Sequence, residues 1–176
     1  MGYTHYFNRT VSLSEEQAAQ LCEDAAKIVT YWFDHTTNSA EIFAKKEEHS
    51  GRWDEWLEDS QNQLKILESA DNREEKLVAL WKNSNAIFIH PDDETVPSEG
   101  FYFPFDGDSF SFCKTNHAEG FGPLVYGLFY FLKLSSVGRV SSDYQSAETG
   151  AGRKLVKAVF PELITVRGSR KRETLV

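Results

Sequence analysis

The sequence predicts an α+β fold: a single domain in which a small antiparallel or mixed sheet packs against helices. Three observations predict it. A strand-like stretch, "GYTHYFNR", opens the chain, helical patterns fill most of the chain from there to residue 83, and several strand-like stretches with two further helices come after residue 84. Strands far apart in sequence must then meet. The opening strand is expected beside "FIH" or "SFCKT".

The elements are taken in order. "GYTHYFNR" alternates loosely and is rich in β-formers. In "SLSEEQAAQLCEDAAKIVTYWFDHT", Ser12 with Glu15, or Ser14 with Gln17, fits a capping box. Leu21, Ile28 and Phe33, with Ala18 and Ala25 between, lie near one helical stripe, and Glu15 and Glu16 suit the positive helix end. This helix is expected to end near His35, before "TTNS". The acidic, tryptophan-bearing middle, 39–83, has helical periodicity broken at Ser50-Gly51 and near Asp71-Asn72, which gives two or three short helices. Its last segment, "NREEKLVALWK", reads as a helix or a turn.

From residue 84 the period changes. "NAIFIHP" is a short strand that stops at Pro91, and "DDETVPSEG" is a turn-rich loop. "FYFPF" and "SFSFCKT" read as two strands joined by "DGD" into a hairpin. Phe110 and Phe112 alternate with Ser109, Ser111 and Cys113, so the two phenylalanines are expected to face inward. "GPLVYGLFYFLKLSS" is a helix with Pro123 in its first turn. "GRVSSDY" is a last short strand or extended loop, and "TGAGRKLVKAVFPEL" a final helix stopped at Pro161. The domain is expected to span 1–165, with a variable helical insertion at about 39–83 and a loose basic tail at 166–176. No internal repeat is visible.

Composition bounds the function. A chain of 176 residues with 40% apolar content buries a core without staples. Its formal net charge of −8 favours solubility and argues against broad binding to duplex nucleic acid, while leaving room for a small basic pocket. Cys22 and Cys113 make no disulfide framework, so reduced thiols and a cytoplasmic setting are expected. The opening residues lack the basic and apolar regions of a signal peptide. The longest apolar run stops at Lys133 and fits a buried helix, so no membrane partner is expected.

"MGYTHYF", "AIFIHP", "GFYFP", "SFSFCKT" and "RVSSDY" occur in that order. The string resembles a family of small, mostly uncharacterised proteins of bacterial viruses and prophages. Its members begin with Gly-Tyr-Thr-His-Tyr, carry Phe-Cys-Lys-Thr after a short strand, and have a Ser-Asp pair near the C-terminal end. The resemblance covers both ends of the chain and not the middle. It departs at Tyr144, where the family would have glycine after the Ser-Asp pair. It implies a viral origin, and so the cytoplasm of a host cell, and it brings no established chemistry.

The candidate ligand-binding residues are Tyr3, His5, Tyr6, Lys114, Thr115 and Asp143. Lys114 and Thr115 are placed at a strand end, where a lysine offers a compact positive charge to phosphate or carboxylate. On an alternating strand Tyr3, His5 and Phe7 share one side, and Thr4, Tyr6 and Asn8 the other. Tyrosine and histidine suit stacking on a base and hydrogen bonding to a sugar or phosphate. The plain readings are a solvated lysine and a buried, satisfied histidine. Asp143 after Ser141 and Ser142 is either a ribose contact or a turn-forming residue. "HPDDE" at 90–94 has oxygen ligands for a hard cation but no metal-binding spacing, and reads better as a solvated loop; no metal or cofactor is expected. Cys113 with His117 or His5 has the parts of a nucleophile, although a cysteine on an aromatic strand is more often an apolar filler.

Three functions are compatible. The first is a viral accessory protein that binds a small anionic ligand, a nucleotide or nucleotide-derived host immune signal, and sequesters it to evade host defence, as a monomer or homo-oligomer. The second is a phosphodiesterase-like hydrolase using His5 as acid/base with Lys114 stabilising charge. The third is an inhibitor of a host protein through surface contact, anchored by Trp53 and Trp56 in the acidic middle. The first is preferred, because aromatic faces, Lys114 and hydroxyls are present without a recognisable catalytic set.

Overall fold

A computed structural model describes residues 3–37, 39, 62–63, 65–69, 71–90, 100–107, 109–115, 121–143 and 147–164. The chain runs β1 (Tyr3–Arg9), α1 (Glu15–His35), α2 (Arg73–Ser84), β2 (Ala86–Ile89), β3 (Phe101–Pro104), β4 (Phe110–Thr115), α3 (Phe121–Leu134), β5 (Gly138–Ser142) and α4 (Ala147–Val159). This is the expected α+β class. Much of the 39–83 middle and the whole 166–176 tail lie outside the described residues.

Local chemistry explains the helix limits. Ser14 Oγ accepts from the Gln17 backbone N–H at 3.2 Å, and Gln17 Oε1 accepts from the Ser14 N–H at 2.9 Å. That closes the capping box and starts α1. The helix then buries Leu21, Cys22, Ala25, Ile28, Val29 and Trp32 along one face. "NREEKLVALWK" is a helix, not a turn. Asn72 and Asn85 flank it in left-handed conformations, φ 56° and 53°, which asparagine tolerates better than most residues. Leu77 and Trp81, one turn apart, are fully buried.

β1 is the centre of a three-stranded antiparallel sheet ordered β4-β1-β5, and β2 pairs antiparallel with β3 in a second sheet. The opening strand does lie beside "SFCKT", and "GRVSS" takes its other edge. The expected hairpin of "FYFPF" with "SFSFCKT" is not formed: β3 pairs with β2, and β4 with β1. Arg9 accounts for the break. Its guanidinium donates to the carbonyls of Phe105 and Gly107, and its backbone N–H donates to the Ser109 carbonyl at 2.6 Å. Gly107, at φ 66°, turns the chain there. Asp106 and Gly107 therefore lie in a bend between the two sheets.

The outer edge of β2 is closed by side chains. The Phe88 carbonyl accepts from Gln63 Nε2 at 2.7 Å and from Trp81 Nε1 at 3.0 Å, while Gln63 Oε1 accepts from the His90 N–H. These bonds satisfy backbone groups that a buried edge would otherwise leave unpaired.

α3 forms the centre of the core. Phe129 packs on Phe7, with ring centroids 5.8 Å apart, and on Phe101 at 4.8 Å, and Phe103 meets the edge of Phe7 at 5.6 Å. Full burial of each such ring contributes about 1.5–3 kcal/mol. α4 crosses α3 at Gly152. A Cβ there would stand 2.8 Å from the Gly127 nitrogen and from the Pro123 carbonyl, so only glycine permits this approach. Among the described residues, no helix is long and apolar enough to cross a membrane.

Candidate functional site

The register of the three-stranded sheet sorts its side chains onto two sides. Cross-strand partners share a side. Cys113, His5 and Ser142 form one row, and Thr115 and Tyr3 extend it toward one end. This side faces α3 and is covered: His5, Phe7, Cys113 and Thr115 are fully buried. The other side is open. Its rows are Phe110, Asn8 and Arg139; Phe112, Tyr6 and Ser141; and Lys114 with Thr4, continued by Asp143, whose N–H donates to the Thr4 carbonyl at 3.1 Å.

The expectation that Phe110 and Phe112 face inward is corrected. They are 54% and 52% exposed, while Ser111, Cys113 and Thr115 point inward. The reason is register: pairing with β1 puts Ser111, Cys113 and Thr115 on the side of His5 and Phe7, which α3 covers with Tyr126 and Phe129.

The six candidate residues divide accordingly. Tyr3, His5 and Thr115 lie on the covered side. Tyr6 and Lys114 lie on the open side, and Asp143 joins them, its Oδ2 accepting from the Tyr6 hydroxyl at 3.4 Å. No single cleft collects all six, because His5 and Lys114 stand on opposite faces of the same sheet.

On the covered side the polar groups are engaged. His5 Nδ1 lies 2.8 Å from Ser142 Oγ, and the His5 ring meets Tyr126 edge-on at 5.4 Å. Thr115 Oγ1 donates to the Tyr3 carbonyl at 3.4 Å. The Tyr126 hydroxyl accepts from Arg153 at 3.3 Å, and the Arg153 guanidinium sits 5.9 Å and 5.6 Å from the rings of Tyr126 and Tyr130. This chain of contacts runs from His5 out to the surface, and its members hold one another in place. A fully buried His5 has no access to a substrate, which argues against its use as an acid/base.

No family model, curated protein or solved structure matches this chain.

On the open side the aromatic rings lie close together. Tyr6 and Phe110 have centroids 6.1 Å apart with an interplanar angle of 29°, and Phe110 and Phe112 are 6.2 Å apart at 34°. Two neighbouring phenylalanines left half in water forgo burial energy that a core position would supply. Arg139 and Lys114 stand at diagonal corners of the array. Asn8, Thr4 and Ser141 add hydrogen-bonding groups between rings and cations.

Phe110, Phe112 and Arg139 were not among the candidate residues. The alternation of "SFSFCKT" carries the two phenylalanines, in the phase opposite to the expected one, and Arg139 lies in "GRVSS". His90 of "HPDDE" is buried, and burial pushes its pKa down from 6.5 to about 4, so its ring is neutral at ordinary pH. Asp92, Asp93, Glu94, Asn116, His117, Trp53 and Trp56 lie outside the described residues. Among the described residues no group of three or more His, Cys, Asp or Glu is placed to hold a metal ion. Burial raises the Cys22 thiol to about 11, which keeps it protonated.

Proposed function

We propose that the protein binds a small anionic ligand bearing a planar base, a nucleotide or nucleotide-derived signal, on the open face of the three-stranded sheet. One observation carries the reading: Phe110 and Phe112 stand half-exposed on β4, beside Tyr6, with Arg139 and Lys114 at the corners of the same surface. Bases stack on exposed rings, and a nearby cation takes the phosphate. The pocket expected from the sequence is thereby redrawn. Tyr6, Lys114 and Asp143 stay in it, Phe110, Phe112 and Arg139 join it, and Tyr3, His5 and Thr115 support the sheet from beneath. Sequestration of a host immune nucleotide by a viral accessory protein rests on the family resemblance, and it belongs to the proposal together with a host-cell location.

The test is thermal shift of the whole protein with mononucleotides, cyclic di- and trinucleotides and ADP-ribose, followed by recovery of the ligand after denaturation. A rise in melting temperature that Phe112→Ala abolishes, with the ligand returned intact, is expected. No shift with any of them from well-folded protein overturns the proposal. Recovery of cleaved ligand would instead revive the hydrolase reading, for which the 2.8 Å approach of His5 to Ser142 is the one favourable contact.

A further inference from the structure

We infer that the ligand of the open sheet face carries at least two bases joined by phosphodiester links and lies across β4 and β1; the inference rests on the nucleotide reading of that face. The spacing of the rings is the first reason. The Phe110 centroid is 6.2 Å from that of Phe112 and 6.1 Å from that of Tyr6. Tyr6 and Phe110 are stacked at 29° and Phe110 and Phe112 tilted at 34°, so the three rings spread over two strands and cover more of the sheet than a single base does. A mononucleotide would therefore use part of the array and leave the rest exposed.

A splayed single strand uses all of it. Sheets that display rings on adjacent strands stack two or three unpaired bases in this manner. Here Tyr6 and Phe112 are cross-strand partners and Phe110 lies two residues before Phe112, which sets three rings around one point on the sheet. Asn8, the cross-strand partner of both Phe110 and Arg139, is exposed and offers an amide to a base edge.

Charge selects the same occupant. The chain as a whole carries −8, yet this surface presents Arg139 and Lys114, and its one carboxylate among the described residues, Asp143, accepts from the Tyr6 hydroxyl. Two cations suit a few phosphates of a short strand. A duplex keeps its bases stacked out of reach of these rings, and its dense phosphates would meet the repulsion of an acidic protein.

The experiment is a calorimetric titration of the full chain with linear oligouridylates of one, two, three and six nucleotides, a cyclic dinucleotide, and a hexanucleotide duplex. Affinity is expected to rise about fivefold to a hundredfold for each base added up to three, the range that one base–ring stack supplies, and then to level off. The cyclic dinucleotide and the linear dimer distinguish a closed signal from a strand, and tighter binding of either than of the monomer supports the inference. Phe110→Ala and Phe112→Ala, at half-exposed positions whose loss spares the core, should each remove one step of the length series. If the mononucleotide binds as tightly as the trimer, the inference falls and the nucleotide-binding reading stands. If no nucleotide of any length binds, both fall. Tighter binding of the duplex than of the single strand also overturns the inference.

Discussion

The two faces of the three-stranded sheet are built from alternate residues of the same strands, yet along β4 the rings lie on the exposed face and the small residues on the buried one. The covered face carries the row Cys113, His5 and Ser142, and the open face carries Phe112, Tyr6 and Ser141. Most half-exposed sheets place their rings inside. Here β4 contributes only the small Ser111, Cys113 and Thr115 below, where Phe7 of β1 and Phe129 of α3 supply the rings, and leaves Phe110 and Phe112 half in water above. The difference teaches that burial on a sheet is set by what covers it.

The widest separation between the faces should appear in a pair of phenylalanine variants. Phe129→Ala removes a fully buried ring that packs on Phe7 and Phe101, and should cost about 3–5 kcal/mol of stability in urea unfolding. Phe112→Ala should change stability by no more than about 0.5 kcal/mol, while reducing ligand affinity. A large stability loss for Phe112→Ala would mean that the open face is covered after all.

The second sheet provides the next contrast, between two buried histidines. His5 is held by Ser142, whereas the His90 ring stacks on Phe88 at 5.2 Å and is pushed down to about 4 by burial. Above pH 6.5 His90 is neutral in both the folded and unfolded chains and has no effect on stability. As pH falls from 6.5 toward 4, the unfolded chain takes up a proton that the fold resists, so stability declines by about 3 kcal/mol and levels off below that window. His90→Phe should flatten this part of the pH–stability curve, as measured by the difference from the parent in urea melts at pH 7, 5.5 and 4. An unchanged slope would show that other groups set the acid limb.

The smallest effect concerns the polar row beneath the sheet. Ser142→Ala leaves His5 Nδ1 buried without the hydroxyl that faces it at 2.8 Å, which should cost about 1–3 kcal/mol. Ligand affinity should be nearly unchanged, because the row lies on the other side from the rings. A large affinity loss in a variant that melts like the parent would return the binding site to the covered face.

How much of the fold and the site was legible beforehand varied with the range of the interaction. The Ser14–Gln17 box, the stop at His35 and the aromatic helix from Phe121 were readable because caps and periodicity act over a few residues. Of the two partners expected for "GYTHYF", "FIH" and "SFCKT", the second is the one that pairs with it. The separation of β3 from β4 was not anticipated, because the "DGD" turn gave no sign that Arg9, about a hundred positions earlier, would hold the bend. Nor was the mutual exclusion of His5 and Lys114, although strict alternation along β1 and β4 contained half of that answer.

Near neighbours along the chain fixed the Ser14–Gln17 cap, the aromatic helix from Phe121 and the alternation of β1 and β4. Only the tertiary structure decided which side of β4 lies under α3. A period of two states that successive side chains point apart, and it is silent on which of the two sides the rest of the chain will cover.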